Sequence, residues 1–97
     1  MTTFFVSRHP GAVEWARRQG LAVDAWVAHL DGTKIGAADT VIGSLPLNLA
    51  AEVSARGARF LHLTLNLPAE WRGRELTANE LEAAGAQLEE FFVKGVA

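Results

Sequence analysis

Three consecutive side chains near the beginning of the sequence could act on a phosphate ester. Ser7, Arg8 and His9 supply a hydroxyl, a guanidinium and an imidazole, and they directly follow the apolar run 4–6, which is typical of a buried strand. A Pro-Gly pair comes next and opens a helical pattern. In an α/β protein this first strand-to-helix turn lies at the carboxyl edge of the sheet, where ligands bind and helix N-termini favour anions. The sequence therefore predicts a phosphate site with Ser7, Arg8 and His9 as candidate catalytic residues.

Two later loops also directly follow predicted strands, as the Ser7–His9 loop does. One follows a predicted strand at 39–43 and leads into a helix, and the other follows a predicted strand at 58–67. If these strands run parallel to the first, all three loops share one edge of the sheet. Backbone N–H groups at the helix starts could then cradle phosphate, with Arg8 as a charged clamp. The candidate binding residues of the three loops are Gly11, Gly43, Ser44, Leu45, Pro46 and Asn66.

A polar loop at 68–76 adds two more cations. Arg72 and Arg74 stand beside Trp71, and an aromatic ring next to arginines could stack on a nucleotide base. A buried anchor or a dimer contact explains Trp71 equally well. We include Arg72 and Arg74 among the candidate binding residues.

Each candidate also has a structural interpretation. Ser7 and Ser44 can be helix caps, since Ser is a preferred N-cap residue, and Arg8 can be a solvated loop residue. His62 alternates within a predicted strand, and we interpret it as an interior or interface histidine. The three histidines lack the spacing of metal ligands, so no metal site is predicted.

Strands and helices alternate along the chain and would position these loops. The predicted strands cover 4–6, 23–30, 39–43 and 58–67, and the predicted helices cover 12–19, 47–56 and 77–92. The last helix begins with a capping box formed by Thr77 and Glu80 and has apolar residues at helical spacing up to Phe92. The order β-α-β-β-α-β-α predicts one α/β domain over residues 1–97, a Rossmann-like sandwich with a mainly parallel four-stranded sheet and about three helices.

Composition narrows the classes of function. The 97 residues carry a formal net charge of −2, which argues against non-specific duplex binding but allows a small anionic nucleotide held by a few local cations. The chain has no cysteine, so disulfides and a thiol nucleophile are excluded. Neither a signal-peptide core nor an apolar run of membrane-spanning length is present. We expect a cytoplasmic protein with no membrane partner.

Four segments of the sequence carry a resemblance. They are FVSRHPGAVEW at 5–15, DTVIGSLP at 39–46, GARFLHL at 57–63 and RGREL at 72–76. Together they resemble a family of small CRISPR-associated accessory proteins found with type III systems. The resemblance implies a fold similar to the domains that sense cyclic oligoadenylates (CARF-like). It also implies ring nuclease activity without a cofactor, which degrades the messenger cyclic tetra-adenylate and so switches off the antiviral response.

The implied chemistry suits the candidate residues. Ring nucleases need no metal and position a ribose 2′-hydroxyl for in-line attack on the adjacent phosphorus, which gives a 2′,3′-cyclic phosphate. Arg8 and the loop N–H groups would bind the phosphate oxygens. His9 would act as general acid for the 5′-oxygen or as general base for the 2′-hydroxyl, while Ser7 and Ser44 would orient ribose or phosphate. Because a cyclic tetranucleotide has approximate two-fold symmetry, we expect a C2 homodimer as its receptor.

Three other functions are compatible with the sequence. A binding module could sequester the messenger without cleaving it. A phosphohistidine phosphatase begins with a similar strand followed by Arg-His-Gly, but Pro10 interrupts that motif here and the chain is short of the remaining Arg and His partners. A structural protein would use the polar loops only as caps and would bind no oligoadenylate.

Overall fold

Helices cover both faces of one central sheet in the computed structural model, which describes residues 1–96. The strands are β1 (Thr3–Val6), β2 (Ala25–Val27), β3 (Thr40–Gly43), β4 (Arg59–Thr64) and β5 (Gln87–Phe91), and the helices are α1 (Pro10–Arg18), α2 (Leu47–Ala55) and α3 (Ala78–Ala83). Short 3-10 helices lie at Gly32–Lys34 and Ala69–Trp71. The strand order is β2-β1-β3-β4-β5, in which the first four strands are parallel and β5 is antiparallel to β4.

Alternating side chains of the strands build a separate apolar layer on each face. On one face, Phe5 and Ile42 pack with Trp15 of α1 and Leu81 of α3. On the other face, the neighbouring position Val41 packs with helix α2 and the residues near it. Successive strand residues point to opposite faces, so β1 and β3 are covered on both sides. Such double coverage is typical of parallel sheets and holds the strands in a fixed place beneath the loops.

The prediction of a mainly parallel sheet is confirmed, and the ends of β1, β3 and β4 are in register. Val6 of β1 pairs with Gly43 of β3, and Gly43 pairs with His62 of β4. The loops after β1 and β3 therefore leave the same edge of the sheet. The predicted strand at 23–30 is shorter in the structure, because β2 is an edge strand that pairs with β1 over Ala25–Val27 alone.

The prediction of one long terminal helix and a four-stranded sheet is wrong. The capping box is confirmed: Thr77 Oγ1 accepts a hydrogen bond from the Glu80 N–H, and the Glu80 carboxylate accepts one from the Thr77 N–H. Helix α3 nevertheless ends at Ala83, because Gly85 adopts a left-handed conformation with φ 74°.

A Schellman-type turn closes α3 and starts the fifth strand. The Gly85 N–H donates to the Glu82 carbonyl and the Ala86 N–H donates to the Leu81 carbonyl, both at 3.0 Å. The apolar residues beyond Gly85 then pair with β4 as strand β5. The described chain thus has five strands and the order β-α-β-β-α-β-α-β. Within residues 1–96, no helix combines the length and apolar character needed to cross a membrane.

The capping box makes stability depend on pH at Glu80. The backbone N–H of Thr77 and then the Arg74 guanidinium lower the pKa of this carboxyl below its usual 4.5. A carboxylate with a lowered folded-state pKa stabilises the protein above its unfolded-state pKa, and this contribution disappears as the pH falls through the folded-state value. We therefore expect Glu80→Gln to lower the melting temperature at pH 7 and to have a smaller effect at pH 3.

Thermal unfolding of the wild type and of Glu80→Gln between pH 3 and pH 7 measures the difference between their melting temperatures. Glu70→Gln removes the same charge from the nearby 68–76 loop, so it separates the effect of net charge from that of the capping box. A melting-temperature difference between the wild type and Glu80→Gln that is equal at pH 7 and pH 3 would contradict the prediction.

Candidate active site

A cleft of about 540 Å³ lies at the carboxyl edge of the parallel strands. Its floor includes Val6 at the end of β1 and Leu63 of β4, and Leu76 and Leu81 close the side next to α3. The polar residues that line it are Ser7, Arg8, His9, Ser44, His62, Thr64 and Arg74. Basic, hydroxyl and imidazole residues of three loops therefore surround a common space, with the end of β4 along one side.

The structure brings together part of the predicted site. The three candidate catalytic residues line the cleft, as do Ser44 and Arg74. Gly11 lies in an adjoining groove that also includes Arg8, His9 and Glu75. The other candidate binding residues, which lie outside the cleft lining, are Gly43, Leu45, Pro46, Asn66 and Arg72.

The first loop is organised by hydrogen bonds of Ser7. Its backbone N–H donates to the Val27 carbonyl at 3.0 Å, and its Oγ accepts a hydrogen bond from the His9 N–H at 3.0 Å. His9, rather than Ser7, is the N-cap residue of α1, and no side-chain hydrogen bond caps that helix. The Ser7 hydroxyl therefore stabilises the turn while its proton remains free to be donated to a ligand.

His9 is held by an acidic residue that the sequence pattern did not single out. Its Nδ1 lies 2.7 Å from Oε1 of Glu75, and the two side chains are 56% and 65% exposed. An ionised carboxylate can only accept a hydrogen bond, so this contact assigns the proton to Nδ1 and leaves Nε2 for another partner. Glu75 thus orients the imidazole at the mouth of the cleft.

A close approach of two backbones brings Glu75 to His9. A Cβ atom added to Gly11 would lie 1.9 Å from the Leu76 carbonyl oxygen, a distance that no side chain could tolerate. Glycine at the first turn of α1 therefore lets the segment before α3 lie directly against it. The Pro-Gly pair at 10–11 marked this position in the sequence, but it did not indicate which segment of the chain would pack against Gly11.

Arg8 and Arg74 differ in how their charges are balanced. Arg74 donates to the Glu80 carboxylate, and its guanidinium lies 5.2 Å from the centre of the Trp71 ring. Arg8 is exposed and forms no ion pair with any residue in the range 1–96. Arg8 is therefore the cation of the cleft that is better placed to bind an anionic ligand.

The second loop depends on Gly43 and Ser44. Gly43 has φ 149°, and a Cβ atom there would lie 2.5 Å from the Val6 carbonyl oxygen, so glycine is required where β3 ends beside β1. The Ser44 hydroxyl donates to the Leu63 carbonyl at 3.1 Å. Ser44 does not cap α2, whose N-cap residue is Pro46. The hydroxyl instead ties the second loop to β4 at the edge of the cleft.

His62, interpreted from the sequence as an interior or interface histidine, lies in β4 together with Thr64. His62 is half-buried rather than fully interior, and its Nδ1 lies 2.8 Å from Thr64 Oγ1. Both residues line the cleft on the strand that pairs with β3. Their side chains share the α2 face of the sheet with Phe60, whereas Leu63 and Leu81 line the cleft from the opposite face.

The arrangement can bind an anion and move protons. Arg8 supplies charge, the hydroxyls of Ser7 and Ser44 supply short polar contacts, and the His9 imidazole can accept or donate a proton. Among residues 1–96, no group of three or more His, Asp and Glu side chains is arranged to hold a metal ion.

Comparison with known proteins supports the CRISPR-associated resemblance. A model of the family described as "Putative CRISPR-associated protein (Cas_VVA1548)" matches residues 4–94. Searches of curated proteins and of solved structures each gave no match. The family match covers every strand and helix of the structure except the first residue of β1. The chain therefore belongs to this family of CRISPR-associated proteins.

Proposed function

We propose that this protein is a ring nuclease that binds cyclic tetra-adenylate and opens it by attack of a ribose 2′-hydroxyl on the adjacent phosphorus. Cleavage of this messenger would end type III CRISPR signalling. Membership of a CRISPR-associated family supports the biological setting. The observation that carries the chemistry is the cleft in which Arg8 lies with Ser7, His9 and Ser44 at the ends of parallel strands.

Arg8 binds the scissile phosphate in this mechanism. Its guanidinium has no carboxylate partner within residues 1–96, so an anion does not have to displace one. As the 2′-oxygen attacks, negative charge increases on the phosphorane oxygens. A fixed cation therefore stabilises the transition state more than the bound substrate.

His9 transfers a proton to or from the reacting oxygens. Glu75 holds Nδ1, so Nε2 is the nitrogen that meets the substrate. Ser7 and Ser44 orient the ribose or the phosphate through their hydroxyls. These groups account for charge stabilisation and proton transfer without a cofactor.

The size of the ligand supports a homodimer. Pockets of about 300–1,000 Å³ enclose drug-sized ligands, and the cleft of about 540 Å³ suits a part of a four-nucleotide ring. Two copies related by a two-fold axis would match the approximate symmetry of that ring. A relation to the Rossmann-like domains that sense cyclic oligoadenylates belongs to the same proposal. Helices on both sides of a mostly parallel sheet, with the cleft at its carboxyl edge, support that relation.

The central prediction is cleavage of cyclic tetra-adenylate in the presence of excess EDTA. A molar excess of protein is mixed with the ring, and samples are denatured at successive times. The nucleotides in each sample are then separated by chromatography. We expect linear products that end in a 2′,3′-cyclic phosphate. Recovery of intact ring from tight complexes would show a binding module instead, and activity restored only by manganese would contradict the metal-independent mechanism.

Arg8→Ala should weaken binding and cleavage together. A charge-assisted hydrogen bond contributes about 1.5–3 kcal/mol, so we expect a loss of roughly one to two decades in affinity. Arg56→Ala is the matched control, because that arginine pairs with Glu52 and lies outside the cleft. Affinity is measured by titration of labelled ring, and the rate is measured under single-turnover conditions. Equal effects of the two substitutions would exclude Arg8 as the phosphate clamp.

The proposed quaternary structure predicts twice the chain mass in solution. Light scattering coupled to size-exclusion chromatography measures this mass with and without cyclic tetra-adenylate. We expect a dimer that binds one ring. A monomer under both conditions, or a stoichiometry of one ring for each chain, would contradict the shared-ring arrangement.

A further inference from the structure

We propose that the inner wall of the cleft is a nucleobase site, in which an adenine ring packs against aliphatic side chains while the phosphate of the same nucleotide reaches Arg8. This inference rests on the proposed function, because the substrate of the ring nuclease supplies the base. It adds a contact that the mechanism lacks, since the groups named there bind only phosphate and ribose.

Four leucines form this wall, and their side chains belong to one apolar layer. Leu63 and Leu81 are buried in the layer that α1 and α3 cover, and Leu65 and Leu76 are partly buried against it. All four residues line the cleft. Leu63 and Leu65 stand two positions apart along β4 and its continuation, so both point to the face that carries α3. We call these four residues the leucine wall.

The arginines of the cleft lie at its rim. Arg8 is exposed, whereas Leu63 and Leu81 are only 6% and 5% exposed. Arg74, which also lines the cleft, is exposed and donates to the Glu80 carboxylate. A bound nucleotide therefore contacts positive charge at the outer end of the cleft and apolar surface further in.

The chemistry of a nucleotide decides which of its parts fits the leucine wall. Phosphate oxygens and ribose hydroxyls would lose hydrogen bonds to water there, and aliphatic side chains offer none in return. The two faces of a planar base are largely apolar, so their burial against leucine is favourable. Pockets for small ligands have the same composition, mostly apolar with a few polar groups that fix the orientation of the ligand.

A base held by the leucine wall also positions the phosphate. A nucleotide bound through its phosphate alone could rotate about that contact, and the 2′-hydroxyl would then leave the line of attack on phosphorus. A second, apolar point of attachment restricts this rotation, and such restriction accelerates a reaction between groups that are already bound. The leucine wall thus contributes to the cleavage rate as well as to affinity.

Comparison of adenosine 5′-monophosphate with ribose 5-phosphate tests the site, because the two compounds carry the same phosphate and differ by the base. Binding is followed by nuclear magnetic resonance of isotope-labelled leucine methyl groups. We expect the monophosphate to shift the methyl signals of the leucine wall, through the ring current of the base. It should also bind at least about tenfold more tightly than ribose 5-phosphate. Equal affinities, or shifts confined to leucines outside the cleft, would overturn the inference.

Leu65→Ala and its control Leu61→Ala separate the leucine wall from the packing of the sheet. Both leucines are partly buried against the same apolar layer, but of these two described residues Leu65 lines the cleft and Leu61 does not. We expect Leu65→Ala to lower the affinity for adenosine 5′-monophosphate by about tenfold and to change that for ribose 5-phosphate by less than about twofold. Leu61→Ala should change neither affinity. Equal losses in the two variants would indicate an indirect effect of packing and contradict the inference.

Arg8→Ala should give the opposite pattern. It removes the contact to phosphate, so it should weaken the binding of both compounds to the same extent. Melting temperatures identify any variant that has lost its fold. If Arg8→Ala weakened the monophosphate alone, base and phosphate would not occupy separate ends of the cleft.

Cleavage assays distinguish failure of this inference from failure of the proposed function. Wild-type cleavage of cyclic tetra-adenylate, together with equal binding of the two test compounds, would reject the nucleobase site alone. A protein that binds adenosine 5′-monophosphate through the leucine wall but leaves the ring intact would reject ring nuclease activity and retain the nucleobase site. Binding of neither test compound would overturn the inference, whether or not the ring is cleaved.

Discussion

The register of three parallel strands is the constraint on which the site depends. Val6, Gly43 and His62 are partners across β1, β3 and β4, so the loops that follow the first two strands start at the same level, beside the outer half of β4. Gly43 makes the register possible at this edge, because any side chain there would meet the Val6 carbonyl. A shift of one residue in β4 would send His62 and Thr64 to the opposite face. The apolar side chains of Leu63 and Leu65, which line the cleft, would then be turned away from it.

The segment before α3 provides the second constraint. It lies against the first turn of α1 because Gly11 has no side chain to hold the Leu76 backbone away. This contact carries Glu75 to His9, and the capping box then fixes where α3 begins. The apolar face of α3 reaches the sheet through Leu81, which also lines the cleft. Packing of α3 and orientation of His9 are therefore parts of one arrangement, which links the stability of this corner to the geometry of the site.

Local patterns in the sequence predicted most elements and about half of the site, and the failures have a common origin. The apolar run before Ser7, the capping box at Thr77 and the glycines that end helices act within a few residues, so their effects could be deduced. The structure around Gly85 could not, since helical spacing and strand alternation both fit the short apolar sequence that follows it. The role of Glu75 depended on a contact with His9, which is distant in the sequence. Asn66 and Arg72 were chosen because they follow a predicted strand or lie in a polar loop, and neither feature determines distance from the cleft.

The distribution of ion pairs explains how an acidic chain can present a site for an anion. Within residues 1–96, four arginines other than Arg8 form ion pairs with carboxylates. These pairs are Arg18 with Glu14 and Glu82, Arg56 with Glu52, Arg59 with Glu90, and Arg74 with Glu80. Such exposed pairs add little to stability, but they neutralise charge where they occur. Glu75, the acidic residue beside the first loop, is engaged by His9. Charges beyond about 8 Å are largely screened at physiological ionic strength, so the net charge of −2 has little effect inside the cleft. Arg8 therefore determines the local charge of the cleft and is the cation that can bind an anionic ligand there.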